Sequence, residues 1–67
     1  EPATVNINKA DAEALEAALV GIGRNKALAI VAHREKYGPF FAAEELSAVR
    51  GIGPSTVEKN RRRIELD

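Results

Sequence analysis

One tripeptide occurs twice, thirty residues apart, and it limits what this chain can fold into. Gly21-Ile22-Gly23 recurs as Gly51-Ile52-Gly53, with Leu19 and Val49 at matching positions before the turns and Ala27 and Val57 after them. A Gly-Ile-Gly segment between two helical patterns is too short to be anything but a tight connection. Sixty-seven residues make about half a typical domain, so we expect one small domain, 1–67, or a piece of a longer protein. The two copies are then halves of one unit.

The flanking patterns are helical. Asn8 is expected to cap a first helix ending near Leu19, with Asp11 at its third position and Leu15 and Leu19 four apart on one face. A second helix, about Arg24 to Lys36, turns Ala27, Ile30 and Val31 inward, with Leu28 and Ala32 widening that face, and should be the most buried. Gly38-Pro39 stops it, and Phe40 and Phe41 fold back onto the core. A third helix runs from Ala42 or Ala43 to Val49, with Glu44 and Glu45 near its favourable N-terminal end. Pro54 suits the first turn of a fourth helix reaching about Arg63, in which Val57 and Ile64 face inward and Asn60 must be partly exposed or hydrogen-bonded. Leu66 packs back as an anchor. Val5-Asn6-Ile7 alternates over too few residues for a strand and reads as an extended arm.

Within each turn the residue types divide the work. The first glycine can take a positive φ after a helix, the isoleucine plugs the core, and the second glycine lets a bulky group approach the backbone. The helix that follows offers unpaired amides at its N-terminus, which suits an anion such as phosphate. Equal numbers of basic and acidic residues, ten each, leave no global field for nucleic acid, so any attraction must be local. It is present locally: residues 20–36 carry four basic side chains against Glu35, and residues 50–63 carry five against Glu58. Asp11, Glu13, Glu16, Glu44 and Glu45 sit on the helices before the turns. A neutral domain can thus hold one basic and one acidic edge. The plain alternative for either turn is a helix corner, but two such turns each followed by basic residues favour phosphate-backbone binding. The run Arg61-Arg62-Arg63 either is a solvated face or reaches phosphates.

Other classes find little support. No strand or third glycine accompanies the turns as a nucleotide-binding loop requires. His33 is the one histidine and the chain lacks cysteine, so neither a metal nor another cofactor is expected; His33 belongs at the surface or the core edge. Tyr37, Phe40 and Phe41 are read as packing residues rather than a stacking platform. Ser47 and Ser55 have no recognisable base, and no carboxylate pair suggests catalysis, so the chain is not expected to be an enzyme. The longest apolar run, Ala27 to Ala32, is six residues against the roughly 20 needed to cross a bilayer. Membrane insertion by this segment is not expected. The opening Glu-Pro-Ala-Thr lacks an initiator methionine, which leads us to expect that an upstream segment was removed by processing or by design.

Several stretches in order resemble a known family: Val5-Asn6-Ile7-Asn8 with Ala10-Asp11-Ala12, Gly21-Ile22-Gly23 with Lys26-Ala27 and Ala29-Ile30, Arg34-Glu35-Lys36 leading to Gly38-Pro39-Phe40, and Glu45-Leu46 followed by Val49 to Pro54. Together they are similar to the tandem helix-hairpin-helix DNA-binding domains of the ComEA competence type, over about Val5 to Ile64. The resemblance implies an all-α, SAM-like domain of four to five helices, built from two units, 8–36 and 42–64, related by a pseudo-two-fold axis. It also implies non-sequence-specific binding of double-stranded DNA, capture of DNA in natural transformation, hand-over to DNA-uptake machinery, and a periplasmic or extracytoplasmic location. The implied phosphate contacts are Gly21, Ile22, Gly23, Arg24 and Lys26 in the first unit and Arg50, Gly51, Ile52, Gly53, Ser55, Lys59 and Arg62 in the second. Thr56 stands where a basic residue is common, so the second unit relies on Arg50, Lys59 or the arginine run. The alternative function is a small helical module that docks a protein partner through its acidic edge.

Overall fold

The computed structural model describes residues 4–67; the first three residues of the expected 1–67 domain lie outside them. Within that range the order is a two-residue strand β1 (Val5–Asn6), helix α1 (Ala12–Ala18), helix α2 (Arg24–Tyr37), a 3₁₀ segment (Ala43–Ala48), helix α3 (Pro54–Asn60), a second 3₁₀ segment (Arg61–Arg63) and strand β2 (Ile64–Glu65). The domain is mostly helical, as the sequence implied. None of these helices is long and apolar enough to cross a membrane.

The extended arm is a strand after all. Val5 and Asn6 pair in parallel with Ile64 and Glu65, and the Ile7 amide adds a bond of 3.1 Å to the Glu65 carbonyl. Two residues give no usable alternation, but pairing satisfies backbone groups that would otherwise be buried beside Val5 and Ile7. Leu66 packs against the core edge next to this ladder, as expected of an anchor.

The first helix starts later than its sequence suggested, because Asn8 is not its cap. Asp11 takes that role, its carboxylate accepting from the Ala14 amide at 2.9 Å. Asn8 is drawn into long-range bonds instead: its amide group accepts from the Phe40 N–H at 2.7 Å and donates to the Phe40 and Leu66 carbonyls at 2.9 and 2.8 Å. Arg34 reinforces the same region by donating to the Ile7 carbonyl at 2.9 Å.

The segments before the two Gly-Ile-Gly corners bury matching residues by different helical geometries. Leu15 and Leu19, four apart, reach the core from an α-helix, whereas Leu46 and Val49, three apart, do so from a 3₁₀ helix. The periods of 3.6 and 3.0 residues per turn account for the one-residue difference between the copies. The third helix is therefore 3₁₀ rather than α, and the fourth ends as α at Asn60 before tightening through the arginine run.

One apolar cluster joins both halves, with Ile7, Leu15, Ala27 and Ile30 from the first and Leu46 and Val57 from the second, closed by Phe40. Burying each large aliphatic side chain contributes about 1.5–3 kcal/mol before entropy is counted. Phe41 departs from its expected core role: it is 81 % exposed while Phe40 is 1 % exposed. Successive side chains of an extended link point to opposite sides, so only one of the pair can reach the core. Tyr37 is also exposed, touching the edge of His33, and Leu28 is about half exposed, so α2 buries chiefly Ala27 and Ile30.

Candidate nucleic-acid interface

Each corner is built from its three residues in the expected way. Gly21 and Gly51 hold φ of 75° and 89°, a left-handed conformation that costs other L-residues roughly 1–2 kcal/mol. In the second corner this closes a turn in which the Ile52 amide donates to the Val49 carbonyl at 3.0 Å. Ile22 and Ile52 are buried as plugs.

Gly23 and Gly53 do a different job. Both have extended backbone and serve as N-caps of α2 and α3, and neither offers a side chain to satisfy the first turn. In α2 the first amide bonded back to the cap is that of Ala27, to the Gly23 carbonyl at 2.9 Å. The amides of residues 24–26 have no intrahelical acceptor, and in α3 the corresponding amides are those of Ser55 and Thr56, Pro54 having none. A Cβ placed on Gly23 or Gly53 would meet no heavy atom within 4 Å. Both surfaces are thus open to a close approach.

The two corners are braced crosswise. Lys26, just after the first corner, lays its aliphatic stem along the second, its Cε 3.4 Å from where a Cβ on Gly51 would stand. In the other direction Asn60, at the end of α3, holds the approach to the first corner. Its side chain accepts from the Val20 amide at 2.7 Å and donates to the Val20 and Thr56 carbonyls, both at 2.9 Å. Asn60 is buried but hydrogen-bonded throughout, one of the two conditions the sequence allowed it. Neither brace was legible in the sequence, since each joins residues at least 25 positions apart.

The basic side chains fall into distinct groups. Arg50, Lys59 and Arg62 are exposed and have no ion-pair partner among the described residues, and Ser55 is exposed beside Gly53. Lys26 is half-buried over Gly51. Arg24 reaches Glu16 only at 3.8 Å, with both side chains largely in solvent. Arg61 is committed to carboxylates, bonding Glu44 at 2.6 Å and Glu58 at 3.1 Å. The hydrogen bond from Arg61 holds the Glu44 carboxyl below its ordinary value, and the bond to Glu44 raises Arg61 in turn. Of the arginine run, Arg61 is a structural clasp between the 3₁₀ segment and α3, and Arg62 points outward.

His33 sits at the core edge, its ring stacked on Phe40 with centroids 5.1 Å apart. Among the described residues no three His, Cys, Asp or Glu side chains are placed to hold a metal ion.

A double glycine corner closing onto an uncapped helix is a helix-hairpin-helix arrangement, and the helix-hairpin-helix motif family matches residues 2–65. The chain belongs to the helix-hairpin-helix family. An uncharacterised protein of Haemophilus influenzae is 55 % identical over 60 residues, which is 90 % of this chain and 54 % of that protein. ComE operon protein 1 of Bacillus subtilis is 46 % identical over 57 residues, or 85 % of this chain and 27 % of that protein. Human S1 RNA-binding domain-containing protein 1 is 39 % identical over 41 residues, 61 % of this chain and 4 % of that protein. The chain thus spans about half the length of the first relative and about a quarter of the second.

Proposed function

We propose that this helix-hairpin-helix domain binds double-stranded DNA through backbone phosphates, without sequence preference. The observation that carries the reading is the pair of open caps at Gly23 and Gly53, each joining a buried isoleucine to amides without side-chain partners. Anions are favoured there by geometry and by the helix dipole. Arg24, Lys26, Arg50, Lys59 and Arg62 supply charge around the corners, with Ser55 as a further donor. The two units, related by a pseudo-two-fold axis in a SAM-like arrangement, set their corners against the two strands flanking one minor groove. Relatedness to ComE operon protein 1 supports a role in capturing DNA during competence. In that role the domain acts outside the cytoplasmic membrane and passes DNA to uptake proteins.

Four neutralised phosphates give a fall of log affinity with log salt of about 3.6. Fluorescence anisotropy over a salt series, with duplexes of differing sequence, should return that slope for all of them, and Lys26→Ala should weaken every duplex alike. A flat salt response refutes the reading. A second reading, a protein-docking module, draws on the 81 % exposure of Phe41, which lines an open groove with Pro39 and Leu66. It is favoured if amide shifts on adding a duplex leave the Gly23 and Gly53 regions unmoved.

A further inference from the structure

A shallow groove of about 300 Å³ runs beside the second corner, between the later turns of α2 and the end of the first 3₁₀ segment. Its floor is small and apolar, from Ala29, Ala32 and Ala48, and its rims carry Lys36 and Arg50. Tyr37, 67 % exposed, stands at one end, and the Lys36 ammonium lies 5.1 Å from the centre of its ring, close enough for a cation–π contact. His33 also lines the groove, its Nδ1 buried without a hydrogen-bond partner.

Charge separates this groove from two others among the described residues. No carboxylate lines it, whereas Glu35 and Asp67 line the groove beside Phe41, and Glu44 and Glu58 line the one around Arg61. An occupant must be anionic, narrow enough for a floor of alanines, and continuous with whatever meets Arg50 at the corner. We propose that this groove is a second seat for a DNA sugar–phosphate backbone, extending the contact away from the corner along α2. The proposal rests on the DNA reading of the corners. Lys26 and Lys36 are ten residues apart on α2, about 15 Å along its axis. Lys36 and Arg50 then contact phosphates, and the Tyr37 ring and hydroxyl lie against the sugar edge.

The test measures duplex affinity across a salt series for the wild type, Lys36→Gln, Tyr37→Ala, Lys26→Gln and Lys9→Gln. Lys9 is exposed and lines the groove beside Phe41, so Lys9→Gln removes one charge outside the proposed seat. Lys36→Gln should lower the salt slope by about 0.9, the share of one phosphate. Tyr37→Ala should lose affinity at every salt concentration with the slope unchanged, and Lys9→Gln should match the wild type in slope. The proposal is overturned if Lys36→Gln behaves as Lys9→Gln does while Lys26→Gln still reduces the slope; the corner reading then stands alone. A wild type without salt-dependent binding removes both. Lys36 and Tyr37 are exposed, and thermal melts of their variants should overlay the wild type.

Discussion

Asn60→Ala tests whether the polar brace to the first corner is a main support of the fold. The substitution removes three hydrogen bonds from a side chain that is 2 % exposed. At a net value of about 1 kcal/mol each, the loss is roughly 3 kcal/mol. A 67-residue domain has about 3–10 kcal/mol in total, so the variant gives up a large part of its stability and melts more than about 10 °C lower. The position thirty residues earlier is Ile30, fully buried in the apolar cluster, so the cost arises from polar groups left on the Val20 side. Urea unfolding followed by circular dichroism gives the free energy, and amide exchange gives its location. The Val20 amide, which donates to Asn60, should lose protection in excess of the Arg50 amide at the matching place before the second corner. A cost below about 0.5 kcal/mol, or equal acceleration of exchange at Val20 and Arg50, would show that Asn60 is no main support of the fold.

Three further outcomes concern the corners and the surface clasp. Gly21→Ala, forced to keep a φ of 75°, should lose about 1–2 kcal/mol by urea unfolding, whereas Gly23→Ala, at φ −86° with open space beyond, should lose less, only the difference between glycine and alanine as an N-cap. Gly23→Val should weaken duplex binding far more than it lowers stability; equal loss in both would make the corner a packing device. Because Arg61 depresses the Glu44 carboxyl, the stability from their pairing is complete above the ordinary carboxylate value of 4.5 and fades as pH falls through the lowered one. The stability difference between wild type and Glu44→Gln should therefore shrink on acidification below that range, and a difference that grows contradicts the assignment.

The corners were legible because each of their residues answers a local demand: positive φ, a buried plug, an open cap. The lengths of the flanking helices were less so. The spacing Leu46 to Val49, three against the four of Leu15 to Leu19, does carry the 3₁₀ signal, but only once both pairs are known to point inward. Asn8 had two ways to use its side chain, as a local cap or as a clamp on the backbone of Phe40 and Leu66, and the second is set by packing between distant segments. Phe41 obeyed chain direction rather than its own hydrophobicity. Within the candidate interface, the basic residues were readable as a group, but their separate states were not. Arg61 is held by acids seventeen and three positions away, while Arg50, Lys59 and Arg62 reach solvent.

The crossed placement of Lys26 and Asn60 bears on how such a fold can be taken apart. Each half keeps in its own sequence a part that the other half needs: a lysine that roofs the neighbour's bend, an asparagine that pins the neighbour's entry. Cut between Gly38 and Ala42, the fragments would be cousins in pattern yet poor stand-ins for each other. Two copies of the first would lack the pin, since Ile30 occupies its place, and two copies of the second would lack the roof, since Thr56 occupies Lys26's. Mixing the two fragments should restore one domain, and doubling either should not.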